Sequence, residues 1–181
     1  MTQILRITIV TGLLLMNYSV SAEECRDYTV EQRKILDLAY SVGYDYDLGV
    51  TLAAISKQES FVGSYVIRDN PNDYSVHYDA EGRETKIRGS YGITHILLST
   101  AMWLEGEGSL WGARGKIASK LMTDDVYALR MAIKKLESVK REGQTWREMV
   151  ARYNGSGIMA RQYAEKIASH VNEFKRCEVF N

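Results

Sequence analysis

Residues 52–63 read Leu-Ala-Ala-Ile-Ser-Lys-Gln-Glu-Ser-Phe-Val-Gly, and this stretch decides how the rest of the chain is arranged. Leu48, Leu52 and Ile55 repeat at helical spacing, and small or apolar residues fill most of the remaining faces. A helix that is apolar nearly all round is buried in the core of a domain. The pattern therefore predicts a buried central helix that ends just before Gly63.

Glu59 lies at the inner end of this predicted helix, a few residues before the chain breaks at Gly63. Burial removes water from a carboxyl group and so favours its protonated form. A protonated carboxyl near neutral pH is what general acid catalysis requires. The alternative is a glutamate at a helix C-terminus that points into solvent, and spacing alone leaves both interpretations open.

The composition indicates an exported protein without a nucleic-acid partner. The chain has 181 residues with 23 basic and 23 acidic side chains. Its net charge therefore gives no indication that it binds a polyanion such as nucleic acid. Residues 1–22 have the three parts of a signal peptide, namely Arg6, an apolar run over 7–16 and the cleavage site Val20-Ser21-Ala22. That run is shorter than the ~20 residues of a membrane span. We therefore expect a mature domain over 23–181 in the periplasm or cell wall, with no membrane span after signal cleavage.

Two cysteines, Cys25 and Cys177, lie near the two ends of the expected mature chain. An even number of cysteines in an exported protein suggests a disulfide. The alternative is a pair of free thiols.

Outside the central helix, periodicity predicts a mostly α-helical single domain. Thr29 and Gln32 form a predicted capping box for the first helix, Gly43 is its predicted stop, and Asp47 is the predicted N-cap of the central helix. Further helices are expected from Tyr91 to about Leu104, after an N-cap at Asp124, over 146–153 and through Tyr163 to Phe174, with a glycine-spaced loop over 106–115. Basic residues on the helix after Asp124 are interpreted as a solvated face: Lys134, Lys135, Lys140 and Arg141.

Residues 64–89 have no helical period. Residues 75–78 and 84–87 alternate weakly about a turn, which predicts a small β-hairpin. A segment of this length without helix is usually a functional loop. Tyr91 and three tyrosines of this segment are candidates for apolar platforms, although exposed aromatic residues are common in loops: Tyr65, Tyr74 and Tyr78.

Three short motifs follow one another in the chain. They are Glu59-Ser60, Gly89-Ser-Tyr-Gly92-Ile-Thr-His95-Ile and Ala151-Arg-Tyr153-Asn154-Gly155. In this order, and with Tyr163 opening the final helix, they resemble the lytic transglycosylase (SLT) domain, a relative of goose-type lysozyme. The resemblance covers roughly residues 30–175 and implies a lysozyme-like fold.

The resemblance implies that Glu59 is the single catalytic acid/base and that the substrate is peptidoglycan. In this family the glutamate protonates the glycosidic oxygen between N-acetylmuramic acid and N-acetylglucosamine, and the muramic 6-hydroxyl closes a 1,6-anhydro ring. No cofactor or metal is implied, and we expect a monomer acting on glycan strands. The expected substrate-binding residues are Ser60, Ser90, Tyr91, Gly92, His95, Tyr153, Asn154 and Tyr163.

Two departures from the family pattern keep alternatives open. His95 replaces the usual glutamine, and the loop after Glu59 is longer than usual. That loop adds carboxyl groups that could activate water as in a hydrolase: Asp69, Asp73, Asp79, Glu81 and Glu84. The alternatives are therefore a goose-lysozyme-like muramidase and a non-enzymatic cell-envelope binding protein. The histidines His77, His95 and His170 lack paired ligand spacing, so no metal site is expected.

Overall fold

The computed structural model describes residues 25–68, 74–78, 84–106 and 111–180. These residues form seven helices and five short strands: α1 (Val30–Tyr44), α2 (Gly49–Ser60), β1 (Ile67–Arg68), β2 (Tyr74–Tyr78), β3 (Glu84–Arg88), β4 (Ser90–Tyr91), β5 (Ile96–Leu97), α3 (Leu98–Leu104), α4 (Trp111–Thr123), α5 (Asp125–Val139), α6 (Trp146–Asn154) and α7 (Gly157–Arg176). The predicted signal segment 1–22 lies outside the described residues, as do Asp69, Asp73, Asp79 and Glu81.

The predicted central helix is α2, and it is buried on nearly every face. Leu52, Ala53, Ala54 and Ile55 have no exposed surface. The helix packs against α1 on one side and α7 on another, and it also contacts α5. The all-round apolar pattern therefore predicted the core element correctly, because only a helix enclosed by its neighbours can bury every face.

The turn between α1 and α2 differs from the prediction at two residues. Gly43 does not stop α1 but lies inside it, and a Cβ there would be 2.8 Å from the backbone of Leu48 and Gly49. Leu48 is the N-cap of α2 and makes no side-chain capping bond. Asp47 instead has a left-handed backbone, with φ of 56°. Gly43 therefore allows α1 and α2 to approach each other closely, and no side chain caps the start of α2.

Four other predicted helices, α1, α5, α6 and α7, are confirmed. The Thr29–Gln32 capping box starts α1, and the Asp124 side chain accepts from the Tyr127 N–H at the start of α5. Helices α6 and α7 pack on each other and begin at Trp146 and Gly157. Their inward residues join those of α5 in the core: Leu129, Ile133, Leu136, Val150, Tyr163, Ile167 and Phe174.

The small β structure is partly as predicted. Strands β2 and β3 form the expected antiparallel hairpin, with Val76 opposite Lys86. The helix expected from Tyr91 to about Leu104 is confirmed only in its second half, as α3 (Leu98–Leu104), because Ser90–Tyr91 is a strand that pairs with both β1 and β5. The loop expected over 106–115 is also wrong in its second half, since α4 starts at Trp111.

A disulfide joins Cys25 to Cys177, as predicted, with 5.7 Å between the Cα atoms. It ties the segment before α1 to the end of α7. Within the described ranges, no helix combines the length and apolar character needed to cross a membrane.

Candidate active site

The C-terminal end of α2 presents Glu59 beside a tight backbone turn. Phe61, Val62 and Gly63 all have positive φ, so the chain turns sharply away from the helix axis after Ser60. The Ser60 side chain is fully buried and holds this turn together. Its hydroxyl donates to the Ile93 carbonyl at 2.7 Å and accepts from the Gly63 N–H at 2.8 Å. Ser60 thus joins the helix end to the loop that contains His95.

Glu59 and His95 face each other in a nearly dry environment. The Nδ1 atom of His95 lies 3.5 Å from Oε2 of Glu59, and the two side chains are only 4% and 8% exposed, respectively. The other ring nitrogen, Nε2, is 2.7 Å from the Tyr65 carbonyl. His95 is thereby fixed between the first residues of the long loop and the carboxyl group of Glu59.

Tyr153 of α6 is the third member of the cluster. Its hydroxyl donates to the Thr94 carbonyl at 2.9 Å, and the ring is buried. Burial, and then the nearby charge of Glu59, raise the pKa of Tyr153 well above its ordinary value. The phenol therefore stays neutral and lies within electrostatic range of the Glu59 carboxyl. The three sequence motifs converge on this point.

Tyr163 and Lys135 extend the cluster behind Tyr153. The rings of Tyr153 and Tyr163 stack with centroids 6.2 Å apart and planes 16° apart. Lys135 Nζ lies 4.3 Å from the Tyr153 ring centroid. Lys135 is half-buried, so the prediction of a solvated face is wrong for it but holds for Lys134, Lys140 and Arg141, which are exposed.

The loop over 92–95 positions His95 by its backbone. Gly92 has φ of 79°, and a Cβ there would lie 2.4 Å from the Leu121 carbonyl oxygen. Gly92 is therefore needed for close packing against the end of α4. His95 also has positive φ, 44°, which is uncommon for a residue with a side chain.

The remaining predicted substrate contacts fall into two groups. Ser90 is buried in β4, and Tyr91 beside it is half-buried. Asn154 is the last residue of α6 and is exposed, so its amide is accessible to a ligand. Ser60, Gly92 and Tyr163 are buried and are placed to support the site, whereas Glu59, His95 and Tyr153 form its polar centre.

Sequence reasoning missed the acceptors that hold this centre. The carbonyls of Tyr65, Ile93 and Thr94 accept from His95, Ser60 and Tyr153, respectively. Thr94 is also tied to α5, because its Oγ1 donates to the Ala128 carbonyl at 3.2 Å. The only available sequence signal was the position of Thr94 between two motif residues.

Cavity size does not single out this site. A cavity of about 670 Å³ is lined by residues of α1, α2, α6 and α7, including Tyr40, Thr51, Trp146 and Lys175, but not by Glu59. Across the described part of the chain, no three His, Cys, Asp or Glu side chains are grouped to hold a metal ion. The argument for a site at Glu59 therefore depends on the convergence of its polar side chains.

The fold and site together define a mostly helical domain with a buried carboxyl–imidazole–phenol cluster at the end of its central helix. Comparison of the chain with family models, curated proteins and solved structures found no match. The relation to lytic transglycosylases accordingly stays a prediction from the three motifs.

Proposed function

We propose that this chain is an exported peptidoglycan lytic transglycosylase with Glu59 as its single acid/base. One observation supports this most strongly: the Glu59 carboxyl, only 8% exposed, meets His95 and Tyr153 from two distant segments. The carboxyl group is therefore shielded from water and lies close to an imidazole and a phenol. These are the properties of a general acid.

The reaction needs only one carboxyl because the nucleophile belongs to the substrate. Glu59 gives its proton to the glycosidic oxygen while the bond from that oxygen to the muramic anomeric carbon breaks. The muramic 6-hydroxyl then forms a bond to the same carbon and returns its proton to Glu59. A hydrolase would instead need a second carboxylate that activates water or forms a covalent intermediate.

Accessible residues next to members of the cluster supply candidate substrate contacts. Asn154 ends α6 in an exposed position, and Tyr65, which is 68% exposed, lies near the start of the long loop. An amide can bond a sugar acetamide, and an exposed tyrosine ring is suited to stack on a sugar face. The Cys25–Cys177 disulfide is consistent with an oxidising compartment, and we propose the periplasm or cell wall, with the protein acting as a monomer on glycan strands.

The test is digestion of intact peptidoglycan sacculi by the mature protein and by Glu59→Gln. Glutamine keeps the volume of the side chain but has no proton to transfer, so we expect activity to fall by about 10²–10⁴-fold or more, with unchanged thermal stability. Glu137→Gln, an exposed position on α5, is the matched control and should keep full activity.

Mass spectrometry of the released muropeptides identifies the reaction. We expect 1,6-anhydromuramic ends, which are one water lighter than hydrolytic ends. Reducing muramic ends would show a muramidase instead. Full turnover by Glu59→Gln would refute the role of Glu59, and binding to sacculi without any released product would indicate a non-enzymatic envelope protein.

A further inference from the structure

We propose that Glu59 and His95 hold one proton between them and work as a single acid/base unit, so that His95 is a positioning and proton-holding partner of Glu59. The catalytic part of this inference rests on the proposed function. The proton-sharing part does not, because it follows from the contacts of the two side chains alone.

The contact of Nε2 fixes which nitrogen of His95 carries a proton. Nε2 lies 2.7 Å from the Tyr65 carbonyl oxygen, and a carbonyl can only accept a hydrogen bond. Nε2 is therefore the donor in this contact. When the imidazole is neutral, Nδ1 must then present a bare lone pair.

This nitrogen lies beside the Glu59 carboxyl group. Nδ1 is buried, is 3.5 Å from Oε2 of Glu59 and has no hydrogen-bond partner among the described residues. Without a proton between them, an unprotonated nitrogen and a carboxylate oxygen would face each other with little water to screen them. One proton removes this conflict, whether it is bonded to Oε2 and donated to Nδ1 or bonded to Nδ1 and donated to Oε2.

Among the described titratable groups, Tyr153 interacts electrostatically with Glu59 but does not supply this proton. Tyr153 of α6 gives its proton to the Thr94 carbonyl and stays neutral because its pKa is raised. Tyr163 of α7 stacks on Tyr153, and Lys135 of α5 lies over the Tyr153 ring with a positive charge. The Tyr65 contact is a main-chain carbonyl and does not titrate.

The shared proton links the two residues during catalysis. If it is bonded to Nδ1, it moves to Oε2, the N–H bond breaking as the O–H bond forms, and Glu59 can then protonate the glycosidic oxygen. The attacking hydroxyl returns one proton to Glu59, so the pair again holds one proton after each turnover. Since the pair keeps its last proton to a higher pH than Glu59 would without the imidazole, His95 extends activity towards alkaline pH.

The first test measures the pH dependence of kcat/KM on sacculi. His95→Gln retains hydrogen-bonding groups but cannot titrate, so the alkaline limb of the profile should move to lower pH by about one unit or more. His170→Gln is the matched control, because His170 also lies near a carboxylate, Glu173, with 3.8 Å between Nδ1 and Oε2. Its alkaline limb should coincide with that of the wild-type protein.

The second test needs no activity. The imidazole resonances of His95 are followed by NMR against pH in wild-type protein and in Glu59→Gln. The imidazole should lose its proton at lower pH in the variant, by about one unit or more, because the carboxylate partner is gone. Identical titration of His95 in both proteins would overturn the proposal, as would an unmoved alkaline limb in folded His95→Gln. If the proteins cleave no glycan, the NMR result alone decides proton sharing, and only the proposed function fails.

Discussion

Replacement of Ser60 by alanine should destabilise the fold without weakening glycan binding by folded protein. The Ser60 hydroxyl donates to the Ile93 carbonyl at 2.7 Å and accepts from the Gly63 N–H at 2.8 Å. It is also 3.0 Å from the Ser56 carbonyl, the acceptor that serine side chains commonly use within a helix. Alanine leaves the Ile93 carbonyl and the Gly63 N–H without this partner.

The size of the effect follows from burial. A buried polar group that loses its partner costs about 1–3 kcal/mol. Ile93 is 1% exposed, whereas the Gly63 bond is only partly buried, so water can replace part of it. We therefore expect a loss of about 2–4 kcal/mol in the free energy of unfolding, or ~5–15 °C in Tm for a domain of this size.

Urea and thermal unfolding of Ser60→Ala measure this loss, and Ser64→Ala is the matched control. The Ser64 hydroxyl donates to the Phe61 carbonyl at the same helix end, but this bond is exposed. Its removal should change stability by less than ~0.5 kcal/mol. A Ser60→Ala protein as stable as the wild type, with a raised KM for glycan, would show that the hydroxyl contacts substrate. It would refute the proposal that Ser60 acts by stabilising the turn after α2.

Two further predictions concern the end of the molecule near the disulfide. The disulfide joins cysteines 152 residues apart, and the chain-entropy model gives a loss of up to ~5 kcal/mol in the free energy of unfolding when it is reduced. Urea unfolding with and without reductant measures this loss, and an unchanged midpoint would contradict the prediction. Burial, and then the charge of Lys57, hold the pKa of His170 below its ordinary value, so the unfolded chain binds the proton more tightly. Stability should therefore fall as the pH drops below about 6.5, and His170→Gln should flatten that slope in urea series between about pH 5 and 7.

The helical core could be predicted from the sequence because helical periodicity is a local pattern. Leu129, Ile133 and Leu136 repeat on one face of α5, and this face is buried as expected. Helix α4 was missed because Gly112 and Gly115 are typical of a loop, yet both lie inside it. Packing of Ile117 and Leu121 into the core outweighs the low helix propensity of these glycines.

The strand at Ser90–Tyr91 was missed for a different reason. Two residues are too few to show the alternation that identifies a strand. Its partners, β1 and β5, are equally short, and they come from either side of it in the chain. Pairing between such short segments depends on the helices that bring them together, so no local pattern could indicate it.

The sequence predicted the side chains of the candidate site but not the backbone groups that hold them. Motifs specify side chains, and they identified Glu59, His95 and Tyr153. The groups that hold Ser60, His95 and Tyr153 in place are carbonyls of residues 93, 65 and 94, whose side chains have no part in the contact. A carbonyl is present at every residue, so its use depends only on the path of the chain. The positive φ angles at Gly92 and His95 define that path, and the site is therefore as much a property of this loop's backbone as of the residues in its motifs.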